Sequence, residues 1–247
     1  MPFLFLSPST QTYNPYVTTG NEQYWMNRLA DRVEPYLHAS GINVTRNDPN
    51  GSAALSIRAS NASYQDFHLA LHSNAAPQAL AGQLRGVDVY YYPGSEAGLR
   101  MASILVDNFR SVYPDPDRVQ ARSTTRIGEL RQTNAPSVLC EIGYHDNRED
   151  ADWLTGNLEQ VAAAAALSVT EYFGVPFLTP GPVLRKTVQT TSGALNLRSM
   201  PSLDGAILRK LASGTDVNVW GSSGEWDSVE SDGLFGYAAS RYLRPET

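Results

Sequence analysis

Apolar residues recur along the first two-thirds of the chain in two distinct patterns. Met26, Leu29 and Val33 follow one another at the spacing of an amphipathic helix. Short apolar runs bounded by glycine, proline and serine predict buried strands instead. Together the patterns predict strands at residues 4–6, 42–46, 67–72, 86–92 and 137–142, and helices at residues 19–41, 55–62, 95–113 and 160–173.

Strands that alternate with amphipathic helices are typical of an α/β domain. We therefore predict a mixed, largely parallel sheet flanked by helices. In such sheets the functional residues gather where strands end and in the loops that follow. Polar side chains at those positions are the candidates for a site.

The pattern changes after residue 173. Residues 174–182 hold three prolines and two glycines, which cannot continue a helix and predict a semi-rigid linker. Beyond it, short strand-like runs between glycine, serine and aspartate turns predict a small all-β barrel. We predict an α/β domain at 1–174, a Pro/Gly linker at 175–184 and the barrel domain at 185–247.

Composition narrows the possible partners. The formal net charge of -6 provides no basic surface for nucleic acid. The single cysteine, Cys140, cannot form an internal disulfide. The apolar residues 1–6 are too few for a signal peptide or a membrane helix, so we expect a buried strand there and no membrane insertion.

Three polar residues occupy the positions where functional groups are expected. Glu22 opens the first helix, His72 ends the third predicted strand, and Glu141 lies near the end of the last strand. Hydrolysis of an amide needs a Lewis acid and a carboxylate that takes and returns a proton. Zinc sites of this kind use His and Glu ligands and keep one position open.

Each of these residues also has a structural interpretation. Glu22 stands three residues after Thr19 and could complete a capping box. His72 could be a hydrogen-bonded core histidine. Glu141 follows a run of apolar residues, where an unpaired carboxylate is costly to bury, and this favours a functional role.

In order and spacing, the fragments around Glu22, His72 and Glu141 resemble the zinc-dependent N-acetylmuramoyl-L-alanine amidases over most of residues 3–173. Arg58 and Asn61 fit the stretch that precedes the histidine strand in that family. The resemblance implies that Glu22 and His72 bind Zn²⁺. It also implies that Glu141 activates water to cleave the bond between N-acetylmuramic acid and L-alanine.

The chain departs from the family at the first zinc ligand, a histidine in a turn after the first strand. Residues 7–11 read Ser-Pro-Ser-Thr-Gln here. Thr10 aligns with the missing histidine, but we predict the longer Gln11 as third ligand, although an amide is a weak zinc ligand. His145 could be a ligand, a substrate-binding group or a loop histidine bonded to Asp146.

We predict that Asn74, His145 and Arg126 bind substrate. Arg126 could hold a carboxylate of a muropeptide. It could equally hold the terminal carboxylate in a zinc carboxypeptidase acting on stem peptides. A third alternative is a wall-binding protein that has lost its metal.

Residues 195–201, Leu-Asn-Leu-Arg-Ser-Met-Pro, resemble the signature of bacterial Src-homology-3-like domains. The resemblance implies binding to cell-wall peptides or glycan, and makes peptidoglycan the expected partner. Trp226 and Tyr237 could serve that ligand or fill the barrel core. We expect action outside the cell, at the wall, after secretion with removal of a signal or after release as a lysin.

Overall fold

The computed structural model describes residues 2–245, which form two compact units. One unit contains Leu4–Val33 and Thr45–Tyr172. The other contains the remaining described residues, Glu34–Val44 among them. No helix in residues 2–245 has both the length and the apolar character needed to span a membrane.

A six-stranded sheet forms the centre of the α/β fold. Its strands are β1 (Phe3–Pro8), β2 (Asn43–Arg46), β3 (Phe67–Asn74), β4 (Val87–Tyr91), β5 (Val119–Ser123) and β6 (Ser137–Tyr144). Their order across the sheet is β2-β1-β3-β6-β4-β5. β1 with β3, β3 with β6 and β4 with β5 are parallel pairs, whereas β4 and β6 are antiparallel. The predicted mixed, largely parallel sheet is confirmed.

Helices flank this sheet, as predicted. They are α1 (Glu22–Ala39), α2 (Ala53–Asn61), α3 (Glu96–Arg110), α4 (Gly128–Arg131), α5 (Arg148–Gly156) and α6 (Leu158–Phe173). The hydrophobic pattern predicts α1, α2, α3 and α6 but not α4, α5 or β5. The reason is local, because α4 is one turn long, α5 opens with charged residues and β5 buries only its first residue.

The two central strands, β3 and β6, are buried on both faces. Leu69 and Leu71 of β3 and Val138 and Cys140 of β6 are fully buried, as expected for parallel strands covered by helices on both sides. The register of the two strands pairs His72 with Glu141. Two ionisable side chains thus lie side by side in the most apolar part of the sheet.

A seven-stranded antiparallel sheet forms the C-terminal part of the chain. Its strands are β7 (Leu184–Val188), β8 (Ala194–Arg198), β9 (Ile207–Ala212), β10 (Asp216–Ser223), β11 (Trp226–Ser231), β12 (Leu234–Ala239) and β13 (Leu243–Pro245). They follow the order β13-β7-β10-β11-β12-β8-β9. Leu197, Val217, Val219 and Val229 belong to its apolar core. The predicted all-β character is confirmed.

The C-terminal end of α1 belongs to the same unit as this antiparallel sheet. The fully buried Tyr237 donates its hydroxyl to the carbonyl oxygen of Ser40 at 2.5 Å. The ring of His38 stacks on Phe235 with centroids 4.3 Å apart. Of the two roles considered for Tyr237, these contacts favour packing over ligand binding.

Asp150 of α5 fixes the end of β6. One of its oxygens accepts the N–H groups of Gly86 at 3.0 Å and Tyr144 at 2.9 Å, and the other accepts the Tyr113 hydroxyl at 2.5 Å. Gly143 has a φ of 76°, and a Cβ there would lie 3.3 Å from the Cβ of Asp150. Asp150 itself is 1% exposed, so water does not replace it as acceptor.

Replacing this carboxylate tests how firmly it holds the strand end. We expect Asp150→Ala to lower the free energy of unfolding by about 3 kcal/mol, because several buried donors lose their acceptor. Urea unfolding measures the change. Asp152→Ala is the matched control, since Asp152 pairs with Arg148 at the surface and should cost less than about 0.5 kcal/mol. Equal effects of the two substitutions would contradict the anchoring role.

Candidate active site

Glu22, the first residue of α1, is 1% exposed although its side chain is ionisable. Its Oε1 lies 2.8 Å from Nδ1 of His72, and its Oε2 accepts a hydrogen bond from Asn14 Nδ2 at 2.6 Å. The carboxylate therefore faces His72 and Asn14 instead of Thr19, and the capping-box alternative is wrong. Burial raises the pKa of Glu22, but hydrogen bonds and the charge of His72 outweigh burial, so the net shift is downward.

His72 lies between two carboxylates. Its Nδ1 faces Glu22, and its Nε2 lies 3.4 Å from Oε2 of Glu129. Burial lowers the pKa of His72, yet hydrogen bonds to Glu129 and Glu22 raise it well above its ordinary value. The two carboxylates face both ring nitrogens and favour the charged form of the ring, whose positive charge would offset their buried negative charges.

Gln11 completes a triangle with these two side chains. Its Nε2 lies 3.4 Å from Oε1 of Glu22 and 3.3 Å from Nδ1 of His72. Its Oε1 accepts hydrogen bonds from the Tyr13 hydroxyl at 2.8 Å and from Asn14 Nδ2 at 3.1 Å. The fold thus brings the three predicted ligand residues together. We call Gln11, Glu22 and His72 the ligand triangle.

The spacing of the ligand triangle is close to that of a metal site. Ligands of a tetrahedral zinc ion lie about 3.3 Å apart, given bonds of about 2.0–2.1 Å, and the two distances from Gln11 are similar, but the Gln11 atom at these distances is the donor Nε2. Residues 2–245 contain no group of three His, Cys, Asp or Glu side chains that could hold a metal. Glu22 and His72 are ordinary ligands for a divalent metal, and Gln11 would become a third, weak one only after its amide turned to present Oε1.

Glu141 lies beside the ligand triangle on β6. The strand register pairs it with His72 on one side and Asp88 on the other. Its Oε2 is buried without a hydrogen-bond partner among residues 2–245, while part of the residue stays open to solvent. Burial raises the pKa of Glu141 to about 7, against the lowering influence of His72. A carboxyl group with this pKa can accept and return a proton near neutral pH.

Glu129 of α4 is a buried carboxylate that no pattern in the sequence marks. Its Oε1 accepts the Ser7 hydroxyl at 2.5 Å and lies 3.1 Å from Nε2 of His68, while its Oε2 faces His72. Burial raises the pKa of Glu129, but the hydrogen bonds to both histidines hold it far below its usual range. No periodic pattern could mark this residue, because α4 is a single turn.

A cavity of about 310 Å³ opens beside His72 and Glu129. Hydroxyl and amide groups form part of its lining, which includes Ser7, Ser9, Thr10, Gln11, Asn47 and Ser56. Oδ1 of Asn47, a residue 6% exposed, has no hydrogen-bond partner within residues 2–245. Such a lining suits a ligand rich in hydrogen-bond donors.

His145 is buried rather than presented on a loop surface. Its Nδ1 lies 3.0 Å from the carbonyl oxygen of Ser73, and its ring stacks on Tyr16 with centroids 5.5 Å apart. The carboxylate of Asp146 instead accepts the N–H groups of Ala76 and Gly82. The interpretation of His145 as a histidine bonded to Asp146 is therefore wrong, and no described group of metal-binding side chains includes it.

The other predicted substrate residues lie near strand ends. Asn74 ends β3, and its Oδ1 accepts the N–H of Ala75 at 2.9 Å. Arg126 is exposed on the loop between β5 and α4. Arg122 of β5 donates to Asp88 at 2.6 Å, so its charge is already paired with a carboxylate.

Comparison with protein families gives two matches. The N-acetylmuramoyl-L-alanine amidase family matches residues 12–171, starting directly after Gln11, and the bacterial SH3 domain matches residues 193–244. A comparison with curated proteins finds no match.

Several solved structures share the fold of the first domain. The N-acetylmuramoyl-L-alanine amidase AmiC2 of Nostoc punctiforme is 20% identical, with a TM-score of 0.60 over 70% of this chain and 97% of that chain. The amidase from Clostridium difficile 630 is 17% identical, with a TM-score of 0.61 over 70% and 97% of the two chains. The catalytic domain of the CD27L endolysin targeting Clostridia Difficile is 22% identical, with a TM-score of 0.57 over 69% and 97%.

These structural matches show the fold, and the family match covers well over half of the sequence. The side chains at the ends of β3 and β6 lie within the matched region. The chain therefore belongs to the N-acetylmuramoyl-L-alanine amidase family of peptidoglycan hydrolases and carries a bacterial SH3 domain after its amidase domain.

Proposed function

We propose that this protein hydrolyses the amide bond between N-acetylmuramic acid and L-alanine in peptidoglycan, with zinc as its metal. The observation that carries the proposal is the buried, unpartnered Oε2 of Glu141 beside His72. A protein that only binds the wall gains nothing from such a carboxylate, since burying it costs free energy. Membership of the amidase family supports the same reaction.

Each residue has a distinct part in this reaction. Glu22, His72 and Gln11 would hold the zinc ion, which when bound polarises water and the substrate carbonyl. Glu141 takes a proton from water as the water oxygen bonds to the lactyl carbonyl carbon. The carbon–nitrogen bond then breaks, and Glu141 returns the proton to the departing amine of L-alanine. One water is consumed, and the products are a lactyl carboxyl group and a peptide with a free amine.

Three side chains near the strand ends are suited to contact the substrate. Asn74 and Arg126 offer an amide and a cation suited to the peptide amides and carboxylates of a muropeptide. His145 supports the same region through its contact with Ser73. Asn74, His145 and Arg126 are therefore the proposed substrate-binding residues.

We assign the C-terminal domain to holding the enzyme on its insoluble substrate. A weak wall binder linked to a catalytic domain raises the local enzyme concentration at the wall. The proposed boundaries are 1–174 for the amidase domain, 175–184 for the linker and 185–247 for the wall-binding domain. The place of action is then the cell wall, reached by secretion or by release as a lysin.

Digestion of purified peptidoglycan by the full-length protein tests this function. We expect new amino-terminal L-alanine, and we expect a chelator to suppress its release. Glu141→Gln should slow release by a factor of about 10²–10⁴ and leave wall binding intact. Glu96→Gln, a change at an exposed residue of α3, is the matched control and should keep the full rate.

Two other functions predict different products. A zinc carboxypeptidase would release single residues from the carboxyl end of stem peptides. A wall-binding protein without activity would sediment with peptidoglycan and release neither product. Either result would overturn the proposed reaction.

The raised pKa of Glu141 predicts a pH-dependent cost in stability. Well below pH 4.5 the carboxyl group is neutral in both the folded and the unfolded protein. Between its ordinary pKa of 4.5 and the folded value of about 7, the unfolded state ionises while ionisation in the folded state is unfavourable, so stability falls, and above pH 7 it levels off. Glu141→Gln cannot ionise and should be about 3 kcal/mol more stable than the wild type at pH 8. Urea unfolding at pH 4 and pH 8 measures the difference, which should nearly vanish at pH 4.

The weak third ligand also predicts a gain on substitution. Gln11→His should tighten zinc binding at least about tenfold, because imidazole is a better zinc ligand than an amide oxygen. Titration against a chelating dye measures the affinity. Thr10→His is the matched control, since Thr10 aligns with the family histidine but lies outside the ligand triangle. Tighter binding in Thr10→His alone would show that Gln11 is not the third ligand.

A further inference from the structure

Trp226, the first residue of β11, does not belong to the apolar core of the C-terminal domain. Its side chain is only partly buried, whereas Val229 on the same strand is fully buried in that core. Two cavities, of about 280 and 520 Å³, adjoin Trp226. The residues that line both are Leu203, Trp226, Ala239 and Arg241. The two cavities therefore form one continuous groove, which we call the Trp226 groove.

The loop between β8 and β9 forms one wall of the Trp226 groove. Leu203 in this loop is 74% exposed, although a leucine side chain gains free energy on leaving water. The loop is nevertheless held in place, because Nη1 of Arg198 donates to the carbonyl oxygens of Leu203 and Gly205, both at 2.8 Å. An exposed apolar side chain on a fixed loop can contact a partner without a large ordering cost.

The short helical turn after β12 forms a second wall. The Ser240 N–H donates to the carbonyl oxygen of Glu225 at 2.9 Å, and the Ser240 hydroxyl donates to the buried carboxylate of Asp227 at 2.7 Å. These bonds fix the turn that carries Arg241. The Arg241 guanidinium lies over the ring of Tyr242, 5.0 Å from its centroid, and no carboxylate within residues 2–245 pairs with it.

Charge distinguishes the smaller cavity of the Trp226 groove. Its lining contains two arginines, Arg198 and Arg241, but no Asp or Glu from residues 2–245. Hydroxyl and amide side chains lie beside them, those of Thr190, Ser192 and Asn196. The whole chain carries a formal net charge of -6, so this cavity is positive against the average of the protein. Such a composition complements a carboxylate on a ligand.

We propose that the Trp226 groove binds the peptide part of peptidoglycan, with a free carboxylate of a stem peptide on Arg241 and an apolar peptide side chain against Trp226 and Leu203. The inference rests on the proposed assignment of this domain to wall binding. In intact wall the lactyl carboxyl group of N-acetylmuramic acid is joined to L-alanine, in the bond assigned above to the amidase domain. A free carboxylate therefore marks the peptide rather than the sugar.

Calorimetric titration of the full-length protein with a soluble stem peptide tests this site. The peptide carries no sugar, so it lacks the scissile bond and the measurement does not depend on catalysis. The wild type should bind the peptide with free carboxylates more tightly than the same peptide with amidated carboxyl groups. Arg241→Gln should weaken binding of the free peptide about tenfold, because it removes a charge-assisted hydrogen bond, and should remove most of the preference.

Lys210→Gln is the matched control. Lys210 is an exposed cation of β9 that lines neither cavity, and its substitution removes the same charge. Affinity for the free peptide should stay within about twofold of the wild type, since salt screens an exposed charge outside the groove. Trp226→Phe reduces the aromatic surface and should weaken binding of the free and amidated peptides alike, about 2–10-fold. Urea unfolding establishes that each variant is folded.

Four outcomes are decisive. Equal affinity of the wild type and Arg241→Gln for the free peptide overturns the carboxylate contact. Equal losses in Arg241→Gln and Lys210→Gln also overturn it, since they would show only general attraction between opposite charges. Tighter binding of peptide-free glycan strands than of the stem peptide would assign the groove to sugar. A wild type that does not sediment with peptidoglycan contradicts the wall-binding assignment, whereas sedimentation without preference for free carboxylates contradicts the groove alone.

Discussion

One imidazole, that of His72, compensates the buried negative charge on which the site is built. Glu22 and Glu129 are each at most 4% exposed, and each contacts a different nitrogen of the ring. Two unpaired carboxylates in such surroundings would be strongly unfavourable. A cation, whether a proton or a metal, must therefore be shared where the start of α1, the end of β3 and the single turn of α4 meet.

The neighbouring carboxyl group of Glu141 lies outside this arrangement. It is paired in register with His72, yet its Oε2 has no hydrogen-bond partner within residues 2–245. The pKa of Glu22 is lowered, whereas that of Glu141 is raised to about 7. Different surroundings thus give two carboxyl groups of the same site different pKa values. One stays charged, while the other can transfer a proton.

The sequence predicted those parts of the site that follow from local position. Glu22 at a helix start, and His72 and Glu141 near strand ends, could be found because strand ends and helix starts are visible in the hydrophobic pattern. Glu129 could not be found, because it lies in a one-turn helix and its contact with His68 joins residues 61 positions apart in the sequence. The predicted contact of His145 with Asp146 is wrong for a similar reason. Asp146 is adjacent in sequence, whereas the fold places His145 against Ser73 of β3.

The hydroxyl and amide groups that line part of the cavity beside His72 affect how long a ligand stays. Hydroxyl and amide groups there exchange hydrogen bonds with water as readily as with a sugar or a peptide, so each contact adds little net affinity. A ligand held this way leaves quickly. For an enzyme working along a solid polymer, fast departure of each product is useful, and a second attachment, rather than tight binding at the cavity, must set the residence time on the surface.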